Sequence, residues 1–167
     1  MSGKTGVAAL LSADNLAFIQ KGISISVASR DVRHVPSLSR ALACRISDDG
    51  CRLRLVLARS QSHDLLRDLE KSRAIAVVFT EPSTHRTLQI KGSDATLESP
   101  TPVDLAIIAS SREAFGADIL PLGFSREFTE RLFAIEPADV VVVTVTPQTV
   151  FQQTPGPQAG APLEPSP

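Results

Sequence analysis

The sequence predicts a mainly β domain of the α+β class, built as a small antiparallel barrel with helices packed against it. Segments with the two-residue periodicity of strands outnumber segments with helical periodicity. The helical segments interrupt the strands without regular alternation, which argues against a doubly wound parallel sheet. The chain has 167 residues, of which 43% are hydrophobic, and this is enough for one buried core.

One shift in composition near the C-terminus sets the predicted domain organisation. Five prolines and two glycines fall between Pro155 and Pro167. Such a segment has too few large apolar side chains to offset the entropy lost on ordering it. We therefore expect one domain over residues 1–153 and an extended or disordered Pro/Gly-rich arm over residues 154–167.

The first predicted strand covers residues 23–28, where large apolar residues alternate with small ones. The apolar side chains are Ile23, Ile25 and Val27, and the small ones are Ser24, Ser26 and Ala28. The small side is either a surface on which a planar ring can lie or an ordinary solvent-facing side of a strand.

A β-hairpin is predicted over residues 41–57, with its turn at Asp49-Gly50. The apolar side of the return strand consists of Leu53, Leu55 and Leu57. The other side of the hairpin carries Arg45, Arg52 and Arg54. We expect these three arginines to be exposed to water.

The register of this hairpin predicts the state of the two cysteines. With Asp49 and Gly50 as the turn residues, Cys44 lies opposite Leu55 and Cys51 lies opposite Asp48. The two sulfur atoms are then too far apart to form a disulfide with each other. We expect two thiols, with Cys44 buried.

The second half of the chain contains three predicted helices and three further predicted strands. The helices are residues 62–72 with Ser62 at the N-cap, a helix that starts at Thr101-Pro102 and ends near Gly116, and residues 125–133. The strands are residues 74–80, 87–97 and 140–146. Gly92 inside the second of these strands indicates a bulge, a bend or a close approach of another backbone.

Charge and hydropathy exclude several classes of partner. The 17 basic and 18 acidic residues give no net field that attracts nucleic acid, and Trp and Tyr are absent. The longest apolar runs, Val7–Leu11 and Val140–Val143, are far shorter than the roughly 20 residues needed to span a bilayer. We therefore expect no nucleic-acid partner, no membrane partner and a cytoplasmic location.

One segment has the residue types that bind a phosphate. A helix start offers free N–H groups and a partial positive charge, and Arg and Ser side chains supply further donors. This set is Arg59, Ser60, Gln61 and Ser62. The alternative is that Ser62 only caps the helix and Arg59 is solvated. No close spacing of His or Cys ligands indicates a metal site.

The order of these features resembles a known family. The elements are Pro36-x-x-x-Arg40, a strand, Asp48-Asp49-Gly50, a strand, the Ser-containing helix start, an apolar strand, and Arg86–Gly92. Together they resemble the FMN-binding split-barrel proteins related to pyridoxamine 5'-phosphate oxidase, over roughly residues 18–97. The resemblance implies a six-stranded antiparallel split β-barrel with two to three peripheral helices. It also implies a homodimer with FMN in a groove between subunits.

The resemblance implies roles for individual residues. Arg40 is similar to the family arginine that reaches the FMN phosphate, Ser62 to the helix-start serine, and Thr87 to a polar contact at the ring edge. The basic pair that follows the serine in the family is replaced here by His63 and Asp64. Together with the donors at the helix start, these matches to the family give the expected FMN-binding residues: Arg40, Arg59, Ser60, Gln61, Ser62 and Thr87.

The implied function is FMN binding, with flavin-dependent oxidoreductase activity as the enzyme class. One alternative is a non-catalytic protein that binds a flavin, a deazaflavin or haem, with His63 or His85 as the haem ligand. The other is a dimeric interaction module without a ligand. No residue is identified as a general acid or base.

Overall fold

A computed structural model describes residues 6–164, and eight strands within this range form one antiparallel sheet. The strands are β1 (Ser24–Arg30), β2 (Pro36–Ile46), β3 (Leu53–Ala58), β4 (Ile75–Thr80), β5 (Thr87–Gly92), β6 (Thr96–Glu98), β7 (Val140–Val145) and β8 (Thr149–Gln152). Their hydrogen-bonded order is β6-β7-β3-β2-β1-β4-β5-β8. The mainly β, antiparallel architecture is confirmed. The predicted number of six strands is wrong, and the sheet is open, with β6 and β8 at its edges.

Five α-helices lie within the described residues. They are α1 (Val7–Leu10), α2 (Ala13–Ile19), α3 (His63–Ser72), α4 (Pro102–Ile119) and α5 (Arg126–Leu132). The last three were predicted, but the total of two to three helices is too low because α1 and α2 were missed. These two helices have only 4 and 7 residues, too short for a clear helical period. They nevertheless bury Val7, Phe18 and Ile19 in the core.

The β2–β3 hairpin has the register that the sequence predicts. Cys44 pairs with Leu55, and both cysteines are free thiols. Cys44 is buried, and this burial raises the pKa of its thiol to about 12. The thiol of Cys44 is therefore protonated at neutral pH and packs as a small apolar side chain.

Gly92 lies where the strand predicted over residues 87–97 divides into β5 and β6. A Cβ at this position would collide with Val145 Cγ2 and would lie 2.8 Å from the carbonyl oxygen of Thr146. The end of β5 therefore touches the end of β7, although four strands lie between them in the hydrogen-bonded order. Residues 93–95 carry the chain from β5 to β6 at the opposite edge, and residues 146–148 carry it back from β7 to β8. We call this junction of β5 and β7 the seam.

The sheet is covered on both faces, although not equally. The inner face forms the main core together with α1, α2 and α3. Its fully buried side chains include Ile25, Leu55, Val77, Phe79, Leu88 and Val143. On the outer face, α4 packs against β2, β3 and β7 through Leu42, Val56 and Val142. The strand predicted over residues 140–146 is β7, and all of its residues are buried; β8 follows it and was not predicted.

The outer face of the hairpin is not exposed as expected. The side chains of Arg45 and Arg54 are only 11% and 9% exposed, because α4 lies over them. Both donate to Asp104, which has no exposed surface: Arg45 Nε lies 2.6 Å from Oδ1 and Arg54 Nη2 lies 2.7 Å from Oδ2. Arg52 is 28% exposed and donates to the carbonyl oxygens of Asp94 and Thr144. The predicted wet face is therefore wrong.

Asp104 also fixes the start of α4. Thr101 is the N-cap, and Asp104 accepts hydrogen bonds from the Thr101 backbone N–H and hydroxyl. Burial of the carboxyl by itself raises its pKa, but the hydrogen bonds from Arg54, Thr101 and Arg45 outweigh burial and hold the pKa well below its usual range. Asp104 is therefore an ionised buried group with two cationic partners.

Part of the predicted C-terminal arm lies against the domain. The backbone N–H of Leu163 donates to Val150 at 2.8 Å, and that of Gly160 donates to Gln152 at 2.7 Å. Leu163 packs against the main core. Residues 154–164 therefore turn back along β8 and do not extend away from it. The division of the chain after residue 153 stays a prediction.

Between residues 6 and 164, none of the helices has the length and apolarity needed to cross a bilayer.

We predict that Asp104→Asn lowers the free energy of unfolding by about 3–5 kcal/mol, because Arg45 and Arg54 lose the fully buried carboxylate that they share. They keep only Asp48 and Glu98, whose side chains are 96% and 39% exposed. Urea unfolding followed by circular dichroism measures this change. Asp48→Asn is the matched control: Asp48 also pairs with Arg45 but its side chain is 96% exposed, so we expect a loss below about 1 kcal/mol. Equal losses in both variants would contradict a special role for the buried cluster.

The contribution of Asp104 to the free energy of unfolding decreases as the pH falls. The pKa of Asp104 is lower in the folded chain than in the unfolded one, so its contribution is present above the unfolded pKa. It is lost as the pH falls through the folded pKa. The difference between the parent and Asp104→Asn should therefore shrink in acid.

Candidate functional site

The outer face of β1, β4 and β5 is a shallow platform of small and hydroxyl side chains. Three cross-strand rows form it: Ser24, Thr80 and Thr87; Ser26, Val78 and Gln89; and Ala28 with Ala76. All of these side chains are half-buried, whereas their sequence neighbours Ile25, Phe79 and Leu88 point into the main core. We call this surface the platform. The Ser24, Ser26 and Ala28 side of β1 that the sequence singled out lies in it.

Arg40 borders the platform from the neighbouring strand β2. It pairs with Ser26 across β1 and β2, and its Nη1 donates to Ser24 Oγ at 3.3 Å. Its guanidinium lies over the rings of Phe115 and Phe133, with its central carbon 4.6 and 5.7 Å from the ring centroids. The Nε and Nη2 atoms are buried and have no hydrogen-bond partner. Burial lowers the pKa of Arg40.

Thr87 lies on the same face as Arg40. Its hydroxyl lies 3.2 Å from that of Thr80 and donates to the carbonyl oxygen of His85 at 3.0 Å. Thr80 in turn pairs with Ser24, the residue that Arg40 contacts. The structure therefore brings Arg40 and Thr87 to opposite sides of one surface. Their strands, β2 and β5, are three inter-strand spacings apart, which is about 14 Å.

Ser60 lies elsewhere, in a short 3-10 turn over Arg59–Gln61. Its backbone N–H lies 2.8 Å from Oδ1 of Asp139, and its hydroxyl lies 2.5 Å from Oδ2. The two hydrogen bonds from Ser60 hold the pKa of Asp139 below its usual range, and the charges of His63 and Arg59 act in the same direction. A carboxylate of the chain therefore occupies the donors that the sequence assigned to a phosphate. Arg59 and Gln61 are exposed beside it.

Ser62 faces the opposite side of the sheet. It occupies the N-cap position of α3, but its side chain does not cap the helix. Ser62 is 2% exposed, and its hydroxyl lies 2.6 Å from that of Ser39. Ser39 precedes Arg40 in β2, and successive side chains of a strand point to opposite faces. Ser62 and Arg40 are therefore separated by the sheet itself.

The predicted phosphate residues thus occupy three places, and the structure adds residues that the sequence reading missed. The added residues are Thr80, Phe115, Phe133 and Asp139. The alternation of small and apolar residues in β4 carried a signal for Thr80. Phe115, Phe133 and Asp139 lie 75 or more residues beyond the groups they contact, and no local pattern marks them.

The residues that replace the family's basic pair do not converge on an anion. Asp64 accepts a hydrogen bond from Arg67 Nη1 at 2.7 Å, so its charge is directed along α3. His63 is exposed at the start of the same helix. Within residues 6–164, no group of three or more His, Cys, Asp or Glu side chains is placed to hold a metal ion.

Comparison with known proteins places the fold. No protein-family model matches the sequence, and no curated protein matches it. Three solved structures illustrate the structural matches. HupZ of Group A Streptococcus has a TM-score of 0.53 and 13% identity over 90% of this chain and 100% of its own. An F420 reductase has a TM-score of 0.53 and 14% identity over 80% of this chain and 93% of its own. A candidate pyridoxamine 5'-phosphate oxidase from Lactobacillus delbrueckii has a TM-score of 0.52 and 12% identity over 87% and 96%.

The chain has the fold of the pyridoxamine 5'-phosphate oxidase-like proteins. The resemblance that the sequence motifs indicated is thereby confirmed as a likeness of fold. At 12–14% identity the match carries no ligand or activity with it. Any function of the platform and Arg40 within this oxidase-like fold therefore depends on the chemistry of their own side chains.

We predict that the backbone N–H signal of Ser60 in NMR spectra shifts with pH as Asp139 titrates, below the ordinary value of 3.8. Asp139→Asn should abolish this titration because the amide no longer ionises. Asp118→Asn is the matched control, since Asp118 likewise accepts from both the backbone N–H and the hydroxyl of Ser83. An unchanged Ser60 titration in Asp139→Asn would contradict the contact.

Proposed function

We propose that this chain binds FMN on the platform, with Arg40 holding the phosphate. The observation that supports this most directly is the guanidinium of Arg40, whose buried Nε and Nη2 have no partner. A buried cation without an anion is costly, and a phosphate is a dianion that accepts several charge-assisted hydrogen bonds. Arg40 also has no salt-bridge partner among residues 6–164.

The platform suits the planar part of such a ligand. Ser24, Ser26 and Ala28 have short side chains, so a flat ring can approach the backbone of β1 closely. Thr80 and Thr87 supply hydroxyl groups at one end of the same surface. These groups would orient a ring and hydrogen-bond its polar edge, as the sequence reading proposed for Thr87.

Two of the predicted phosphate contacts at the start of α3 already have partners within the chain. The N–H and hydroxyl of Ser60 are satisfied by Asp139, and Ser62 is buried with its hydroxyl on that of Ser39. The assignment of Arg59, Ser60, Gln61 and Ser62 to the phosphate therefore stays a prediction that requires Asp139 to move. Arg40 requires no such displacement of a competing anion.

An oxidoreductase role follows from the chemistry of the ligand. When bound, the isoalloxazine ring supplies hydride and electron transfer, while a protein contributes binding, orientation and electrostatics. The side chains of the platform fit that supporting role, since all are uncharged and those of Ser24, Ser26, Thr80, Thr87 and Gln89 can donate hydrogen bonds. A cytoplasmic location stays a prediction.

A deazaflavin is the second candidate ligand. The F420 reductase shares this fold at a TM-score of 0.53. A deazaflavin cofactor combines a planar ring with a phosphate, so the platform and Arg40 would meet the same chemistry. The spectrum of the bound ligand distinguishes the two.

We also propose that a second copy of the chain covers part of the platform. Val32, Val35 and Leu38 are 80%, 53% and 71% exposed. Leu38 pairs with Ala28 at the edge of the platform. Exposed apolar residues that cluster in this way are typical of protein interfaces. A homodimer would bury them and would turn the open platform into a groove between subunits.

The flavin proposal is tested by titrating the purified protein with FMN and with riboflavin, which lacks the phosphate. We expect FMN binding to appear as a shift of the flavin absorbance band at ~450 nm, relative to the same concentration of free FMN. Arg40→Met should weaken FMN binding about 10- to 150-fold, corresponding to about 1.5–3 kcal/mol for a hydrogen bond to a charged group, and should leave riboflavin binding unchanged.

Two controls make this test decisive. Methionine retains an apolar stem over the two rings, and the lost charge had no anionic partner. Relief from burying that charge offsets the lost contacts to Ser24 and the rings, so we expect Arg40→Met to be about as stable as the parent. Arg59→Ala reports on the other anion position, and we expect it to leave FMN affinity unchanged. A protein that takes up no FMN, or an Arg40→Met variant with parental affinity, would refute the assignment.

For the dimer, we predict that Leu38→Asp yields a monomer at concentrations where the parent is a dimer, as measured by size-exclusion chromatography with light scattering. A charge buried in an apolar contact is strongly unfavourable. Leu120→Asp is the control, because Leu120 is 58% exposed at the far end of α4. If the parent itself runs as a monomer, this proposal is wrong.

A further inference from the structure

Arg40 has an unusual setting for a strand residue on the outer face. Phe115 comes from α4 and Phe133 follows α5, and they are only 5% and 4% exposed. Their ring centroids lie 5.7 Å apart with the planes tilted by 45°. The two rings form a corner, and the guanidinium of Arg40 lies against both of them.

Such a corner affects a guanidinium in two ways. The flat ion gains cation–π attraction to the rings, which restricts the directions in which its N–H groups point. The rings also exclude water from Nε and Nη2, and a charge in a drier setting attracts an anion more strongly. Both effects act on a ligand only through its negative charge.

The position of the corner is fixed independently of Arg40. At its start, α4 is attached by Asp104, and near its end Asp118 accepts hydrogen bonds from Ser83. Between these points Gly22 touches the helix: a Cβ on Gly22 would lie 2.9 Å from the Cβ of Ala114. The rings are therefore set by the helix and not by the arginine.

The packing of α5 against α4 positions the ring of Phe133. A Cβ on Gly116 would lie 3.2 Å from Thr129 Cγ2, so the two helices approach closely at this point. Phe133 follows at the C-terminal end of α5, one turn after Thr129, and meets Phe115, which directly precedes Gly116 in α4. The two phenyl groups reach Arg40 from separate helices, which constrains the guanidinium from two directions.

Building on the proposed function, we infer that Phe115 and Phe133 are positioning residues that give the site its preference for a phosphorylated over an unphosphorylated ligand. They act through Arg40 and do not need to touch the ligand. A purely structural role is the competing interpretation, since both rings also pack with Leu42 and Ile119. That role would change the binding of charged and uncharged ligands alike.

The test compares FMN and riboflavin affinities in Phe115→Leu and Phe133→Leu, as a ratio that cancels any general loss of folded protein. We expect the ratio to fall about 2- to 30-fold in each variant, with riboflavin affinity nearly constant. Phe124→Leu is the matched control, since Phe124 forms a similar ring pair with Phe128 but is 45% exposed and away from Arg40. Equal weakening of both ligands would overturn the inference.

A second measurement does not depend on flavin binding. The Nε–H signal of Arg40 in NMR spectra should carry a ring-current shift in the parent, lose it in Phe133→Leu, and keep it in Phe124→Leu. Inorganic phosphate should shift this signal at lower concentration in the parent than in Phe133→Leu. If neither flavin binds but phosphate acts in this way, the flavin proposal fails and the positioning role stands. If phosphate leaves the signal unchanged, the positioning role fails as well.

Discussion

The buried carboxylate of Asp104 is the contact on which the arrangement of the outer face depends. It joins the hairpin arginines to the first turn of α4, so that helix and sheet have one relative position. A buried ion pair is weak evidence for stability, since an apolar substitute of similar shape can be as stable. Its value here is geometric. With α4 held at its start, Phe115 is carried to Arg40, and the part of the outer face beyond α4 is left uncovered.

The seam supplies the complementary constraint on the sheet. Because Gly92 has no side chain, β5 can touch β7, and three residues suffice to carry the chain from β5 to the edge strand β6. The eight strands therefore curl until their ends meet without joining in one ladder. The main core fills the inside of this curve, and the outer face is divided between α4 and the platform.

Features that depend on local burial could be predicted from the sequence, whereas features set by distant partners could not. Periodicity located β1 to β4, β7 and the three longer predicted helices, and the turn residues gave the pairing of Cys44 with Leu55. The same patterns predicted exposed side chains for Arg45 and Arg54, because their partner Asp104 lies 50 or more residues away in the sequence. It also grouped Ser60, Ser62 and Arg40, since neither the carboxylate of Asp139 nor the opposite facing of Ser39 and Arg40 is visible in a linear pattern.

The two positions at which the sequence predicts a phosphate contact differ in one respect. Ser60 donates to Asp139, so the donors at that position are satisfied by the chain itself and a ligand must compete with a carboxylate of effectively unlimited local concentration. Arg40 has a fixed, partly desolvated charge and two unsatisfied nitrogen atoms. A buried polar group without a partner lowers the stability of a protein. Such groups are more frequent at functional sites than elsewhere. No carboxylate within residues 6–164 pairs with Arg40, so an anion would meet less competition there than at Ser60, and on this ground we propose Arg40 as the contact for the charged end of a ligand.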